Sequence, residues 1–358
     1  MIRKLIRRSS SYPGKMPAGF RACVLPLAAL AFSSGAIGAT RTLVDETGRS
    51  VTLPEKIQRI VSLAPNLTEI VYALGAEQQL VGVTDYCDYP ADARTKTSVG
   101  APVNPSLEAI AALKPDVVLA SQSINRLETV ESLNRLGIPV YTTDPRTVAG
   151  VLDSVEHIAD AIGVPERGQA LYAHLKERLA SLRARLTGTT PKRVLFVIWL
   201  YTLITIGPHT FLDDAVMEAG GESVVTSEQD WPQLSVEEVV RLQPDFLIFS
   251  ANHTESGTVS SSGGTAQTSG DEIAALRELP VWKDLQAVRT GHVIVAGEEL
   301  DRPSPRLVEA IESVATQLHT EAFSDTATSG AANGWRHMPH FFCEPNAASL
   351  EGASCNPR

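Results

Sequence analysis

Few residues in this chain could do chemistry, and none of them forms a catalytic pattern. There is no Gly-rich phosphate loop, no metalloprotease helix motif, no Cys-x-x-Cys pair and no nucleophile elbow. Ser, His and Asp are plentiful, yet nothing in their order points to a triad, so a secreted hydrolase stands only as the alternative of another class. The eight histidines lack metal-ligand spacing except near the end, where His337, His340, Cys343 and Cys355 could hold a metal. The same cysteines could equally form a tail disulfide, Cys343–Cys355, which would leave Cys87 as an unpaired thiol. Trp231, beside Pro232 in a loop between a strand and a helix, either packs in a core or lines a cleft. Glu108 and Glu237 fall in first helical turns behind Ser106 and Ser235, where a carboxylate stabilises the helix dipole by about 0.3–1 kcal/mol. Glu238 completes the spacing of a capping box with Ser235.

Those two glutamates belong to a larger repetition. Ser106 to Ser121 and Ser235 to Ser250 each read as a capped helix, a Pro-Asp turn and a buried strand, at a constant offset of 129 residues. One recurrence at that distance predicts two similar lobes rather than a solenoid, and the cleft between two such lobes is a natural ligand site. Around the first copy the sequence predicts a hairpin over 42–54, strands at 59–63, 80–83, 116–120 and 138–142, and helices from about 67 to 74, 106–113 and 126–136. Helices 147–162 and 165–186 follow. Around the second copy come strands 192–198, 245–249 and 292–296, with helices 211–219, 235–242 and 304–318. Alternation of this kind means α/β lobes with parallel sheets and helices on their faces. Residues 251–271, rich in Ser, Thr and Gly, read as a flexible insertion. The helix over 165–186 would be roughly 33 Å long, enough to join both lobes and to limit hinge motion. Tyr86, Tyr89, Asn66, Trp199, Tyr201 and His209 all fall near strand ends, where open α/β sheets bind ligands.

The ends differ from the body. Residues 1–39 carry six basic residues and no acidic one, then an apolar run from Ala22 to Ala31 and small residues to Ala39. That order is a secretory signal peptide, with cleavage expected near residue 39 and export from the cytoplasm. Cys23 opens the apolar run rather than closing it, so a lipid anchor is not expected. Removing those six positive charges from a net charge of −10 leaves −16, a balance that argues against binding nucleic acid. From residue 321 to 358 hydrophobic periodicity is lost, and a disordered tail is predicted. The predicted organisation is therefore a signal (1–39), an N-terminal lobe (40–146), connecting helices (147–190), a C-terminal lobe (191–320) and a tail.

Arg59 to Glu69, the Asp88-Tyr89-Pro90 loop, both Glu-plus-Pro-Asp units, Asp230-Trp231-Pro232-Gln233 and Arg302-Pro-Ser-Pro-Arg306 together resemble periplasmic solute-binding proteins of the helical-backbone class. The resemblance covers about residues 41–319 and is nearest to the cobalamin-binding subgroup. It implies two Rossmann-like lobes joined by one long backbone helix, and no catalysis. It implies a monomer without a cofactor of its own, which captures cobalamin or another corrinoid and delivers it to an ABC importer permease with ATPase subunits. Haem or a ferric siderophore is the alternative ligand. By the same resemblance Glu108 and Glu237 dock on permease arginines, Trp231 forms a cleft wall, and Tyr89 lines the cleft or ligates haem iron. His209 could supply an axial metal ligand. Two departures stand out. Gly100 to Val103 replaces the segment in which cobalamin-binding members carry a Trp, and the inter-cysteine bridge of their second lobe is missing.

Overall fold

The structure is a computed structural model that describes residues 39–250 and 269–324. A hairpin, β1 (Thr40–Val44) and β2 (Ser50–Pro54), leads into the first lobe. Then come β3 (Ile60–Ser62), α1 (Pro65–Ala73), β4 (Leu80–Val83), β5 (Thr97–Ser98), α2 (Leu107–Ala112), β6 (Val117–Ser121), α3 (Leu127–Arg135) and β7 (Val140–Thr143). These strands form one parallel sheet in the order β5-β4-β3-β6-β7. Two connecting helices follow, α4 (Val148–Ile162) and α5 (Pro165–Leu186). The second lobe runs β8 (Lys192–Trp199), β9 (Ile204–Thr205), α6 (Phe211–Glu218), β10 (Gly221–Ser223), α7 (Val236–Leu242) and β11 (Phe246–Phe249). It ends with α8 (Ser269–Glu278), α9 (Gln286–Thr290), β12 (Val293–Val295), α10 (Leu307–Leu318) and α11 (Thr320–Phe323). Its parallel order is β10-β8-β11-β12, with β9 antiparallel on β8.

The recurring Pro-Asp turn has a structural cause. Asp116 Oδ2 accepts from the backbone N–H of Gln58 and Arg59 at 2.7 and 2.9 Å, and Asp245 Oδ2 accepts from that of Arg193 at 3.2 Å. Each Asp thus starts its own strand and holds the start of the neighbouring one. The same arginines close the preceding helices: Arg59 donates to Leu113 O at 2.7 Å, and Arg193 to Leu242 O and Gln243 O at 2.7 and 2.8 Å. Orphan carbonyls at helix ends are satisfied this way. Lys114 and Gln243, one residue before each proline, share a left-handed backbone with φ of 47° and 44°.

Helix α5 has the predicted bounds, but it does not join the lobes alone. Its Leu175, Leu179 and Leu182 sit in the second lobe's core, and only Leu171 packs against both cores. Helix α4 crosses as well: Val148, Val151 and Leu152 belong to the second lobe's core, while Val155, Ile158, Ala161 and Ile162 belong to the first's. The two helices close tightly at Gly168, where a Cβ would lie 2.4 Å from Ala159 Cβ.

Other boundaries shift for local reasons. Helix α1 begins at Pro65, two residues early, because proline suits a first helical turn. The insertion read as flexible to residue 271 already turns helical at Ser269, and Thr320–Phe323 are helical where the tail was predicted to begin. The short strands β5, β9 and β10 lack a long enough apolar alternation to be read from sequence. The signal segment and residues 325–358, with His337, His340, Cys343 and Cys355, lie outside the described residues.

Candidate functional site

Two ionic crossings bring the carboxyl ends of both sheets face to face. After β12, Arg302 reaches into the first lobe and donates to Glu69 of α1 and to Asp88, which follows β4, both at 2.9 Å. After β7, Arg146 reaches the other way and donates to Asp230, in the loop between β10 and α7, at 3.1 Å. The space between the lobes is therefore lined by strand-end loops, as expected for α/β sheets.

The Arg302 crossing is a buried hub. Glu69 also accepts from Ser304 Oγ at 2.7 Å and from Arg306 at 3.5 Å, while Arg302 and Arg306 reach Glu298 and Glu299 at 2.8 and 3.3 Å. Burial disfavours charge on Arg302, but the hydrogen bonds it donates to Asp88 and Glu69, with their negative charges, more than offset it, so its pKa is raised and it stays cationic. The Arg306 guanidinium lies 3.8 Å above the ring of Tyr89, a cation–π contact from the opposite lobe. The loop bearing Tyr86 and Tyr89 is pinned underneath by Cys87, whose buried Sγ lies 3.1 and 3.2 Å from the hydroxyls of Thr68 and Thr84. Burial pushes the Cys87 pKa up, so it stays a thiol.

The loop that carries Trp231 is held by the backbone of the residues around it. Pro232 O and Asp230 O accept from the N–H of Thr205 and Gly207 at 3.0 and 2.9 Å, and Leu234 N donates to Leu203 O at 3.0 Å. Gly207 has no room for a side chain, since a Cβ would fall 1.8 Å from Gln229 O. Trp199 closes β8 opposite Ile204, and Tyr201 follows in the turn to β9.

The decisive feature is exposure. Tyr86, Tyr89, Trp199, Tyr201 and Trp231 are 60, 47, 43, 69 and 50% exposed, and each closes or follows a strand, at the ends of β4, β8 and β10. No other aromatic side chain appears among the exposed large apolar residues described. Large rings left in water at facing strand ends form a wall that a flat, largely apolar ligand would cover. A separate concavity of about 430 Å³, with Arg49, Val51, Asn134 and Ile138 in its lining, lies beside β2 and β7 and contains none of these rings.

Residues 60–300 match the family model described as periplasmic binding protein. The chain belongs to the periplasmic binding protein family. It is 30% identical over 261 residues to a vitamin B12-binding protein of Vibrio parahaemolyticus, covering 73% of this chain and 89% of that one. Among solved structures it is similar to the periplasmic vitamin B12 binding protein BtuF of Vibrio cholerae, with 29% identity, 75 and 98% coverage and a TM-score of 0.62. It is also similar to the periplasmic heme-binding protein RhuT from Roseiflexus sp. RS-1, with 26% identity, 74 and 99% coverage and a TM-score of 0.63. These proteins share the two-lobe fold.

The other expected site residues of this binding protein fall in different places. Asn66 is a correction. It is buried under the cleft, its amide 3.5 Å from Pro303 O of the other lobe and its Oδ1 without a partner, because α1 already starts at Pro65 and tucks it inward. His209 is exposed and 3.8 Å from Glu228. Glu108 and Glu237 are both exposed in the first turns of α2 and α7. Ser106 Oγ accepts from Ala109 N, and Ser235 Oγ from Glu238 N, both at 3.1 Å. Only half of the capping box forms, since Glu238 turns to Arg241 at 3.5 Å. Val103 stands exposed in place of the missing Trp, on a loop that Asn125 holds through Pro102 O at 2.9 Å.

Sequence reasoning missed Glu69, Arg146 and the roles of Asp88 and Asp230. One signal was present: Asp-aromatic-Pro occurs in both lobes, as Asp88-Tyr89-Pro90 and Asp230-Trp231-Pro232. In each, the Asp pairs with an arginine of the other lobe and the ring beside it is left exposed.

Proposed function

We propose that this chain is the extracytoplasmic substrate-binding subunit of an ABC importer, and that it captures cobalamin or a related corrinoid between its lobes. The five exposed rings at the facing strand ends carry this reading. A corrin ring is broad, and its periphery is made of uncharged amides, so aromatic contact can supply most of the binding without a protein bond to cobalt. The charge pattern favours the same choice. Arg302 meets three carboxylates, Arg306 meets two, and Arg146 meets Asp144 as well as Asp230, both at 3.1 Å. None is left over to neutralise the carboxylates of a haem or of an anionic siderophore. The likeness to vitamin B12-binding proteins supports the reading.

Haem is the second reading, favoured by the exposed phenol of Tyr89 and by the likeness to a heme-binding protein. In either case the chain acts without catalysis, as a monomer exported to the periplasm with its first 39 residues removed. It presents its ligand to a permease through Glu108 and Glu237. Among the described residues no helix is long and apolar enough to cross a membrane.

Absorbance titration of the purified chain with cyanocobalamin and with haem separates the two readings. Cyanocobalamin should bind, Trp231→Ala should weaken it at least about tenfold, or ~1.4 kcal/mol, and Tyr89→Phe should change it little. A Soret band that shifts on haem addition and is lost in Tyr89→Phe, with no cyanocobalamin binding, would replace the corrinoid by haem.

A further inference from the structure

The two ionic crossings are not equivalent. In the first, Asp88 belongs to a hub in which Arg302 and Glu69 are mostly buried and Tyr89 is capped by Arg306. In the second, the Arg146 and Asp230 side chains remain 54 and 37% exposed. Among the described residues, no cation lies over the ring of Trp231 to match the one over Tyr89. What reaches the Trp231 loop from the first lobe is the guanidinium of Arg146, through the residue next to the ring. From its own lobe, the loop is held by backbone bonds to Thr205 and Gly207.

We infer that Arg146 is a positioning residue for Trp231. By holding Asp230 from across the cleft, it sets the angle at which the indole meets a ligand, as Arg302 does for Tyr89 through Asp88. The arrangement is reciprocal: each lobe supplies the arginine that sets the other lobe's ring. Arg146 is itself oriented by Asp144 Oδ1, at 3.1 Å from its Nε, which leaves Nη1 directed at Asp230. The exposed pair is a weak restraint, and pairs of this kind are worth well under a tenfold change in an equilibrium. It is also screened by salt, whereas the buried hub is screened far less.

This inference rests on the corrinoid reading for its affinity test, and a measurement on the free protein keeps it independent of that reading. In the free protein, the emission of Trp231 is isolated by subtracting the spectrum of Trp231→Ala. Arg146→Ala should make that component more accessible to acrylamide, and the charge-swapped pair Arg146→Asp with Asp230→Arg should restore the original value. With cyanocobalamin as the probe, Arg146→Ala and Asp230→Asn should each weaken binding about threefold in low salt and less in 0.5 M NaCl. Arg146→Ala added to Trp231→Ala should cause no further loss, while added to Tyr89→Ala it should cost its full factor. Unchanged quenching of the Trp231 component overturns the inference. So does an Arg146→Ala effect that persists in full without Trp231, which would make Arg146 a separate ligand contact. A wild-type protein that ignores cyanocobalamin overturns the ligand assignment, and the quenching result then decides the positioning role by itself.

Discussion

Replacing Gly207 by alanine tests whether Trp231 is placed by its backbone. Gly207 is not among the glycines with positive φ, so an alanine can adopt its conformation and only the contact opposes it. The added Cβ would lie 1.8 Å from Gln229 O and 2.9 Å from its carbonyl carbon. Ordinary contact begins near 3.4 Å, so the 229–231 loop must retreat by about 1.6 Å, because packed interiors leave little room to absorb the overlap. The bond from Gly207 N to Asp230 O, now 2.9 Å, would then pass 4 Å and be lost. That bond contributes about 1 kcal/mol, and the residual crowding adds about 1–3 kcal/mol. We expect a total loss of about 2–4 kcal/mol, seen as a fall in Tm of several degrees. Trp231 follows the displaced residue, so cyanocobalamin affinity should drop about three- to tenfold. Differential scanning calorimetry and an absorbance titration on the same preparation provide both numbers. An unchanged Tm together with unchanged affinity would refute the claim that the 203–207 segment fixes the Trp231 loop.

Glu69→Ala removes the carboxylate shared by Arg302, Arg306 and Ser304; leaving buried guanidinium groups short of a partner should cost about 3 kcal/mol in urea unfolding, and Glu69→Gln should cost less. Glu108→Arg combined with Glu237→Arg should leave cyanocobalamin affinity unchanged while abolishing uptake through the permease, measured with labelled vitamin in cells; normal uptake would leave these residues only their place in the helix caps. The pKa of His157 is raised, first by its hydrogen bond to Glu46 at 3.2 Å and against the effect of burial. Its stabilising contribution is therefore complete below the unfolded value of about 6.5 and fades as pH rises through the raised folded value. His157→Gln should lower Tm at pH 5.5 and have little effect at pH 9, and an equal loss at both would exclude the charged pair.

The layered α/β architecture was legible because buried parallel strands read as short apolar runs between periodic helices. Helix α5 could be bounded to the residue, since Pro165 starts it and its apolar spacing never breaks. The five exposed rings were legible one by one from their positions at strand ends. What joins them was not. Arg302 and Glu69 are 233 positions apart, Arg146 and Asp230 84 apart, and a pairing across two lobes leaves no local period to read. Asn66 was misplaced for the opposite reason: a polar residue at a strand end suggests the cleft, but the two-residue advance of the helix start turned it inward. The Pro-Asp repeat was visible without its cause, because the carboxylate serves a strand start more than 50 residues away.

Helix α4 has a consequence for how this protein folds. One end of it completes the second lobe's core and the other end completes the first's. Cutting the chain on either side of α4 therefore leaves one half without part of its interior, exposing roughly three or four large aliphatic side chains at about 1.5–3 kcal/mol each. The half that loses α4 should not survive as a separate folding unit, even though it owns a complete sheet. The lobes are linked less as two beads on a rod than as two rooms sharing a wall. Their unfolding should register as a single cooperative transition, with amide protection along α4 as high as in the central strands.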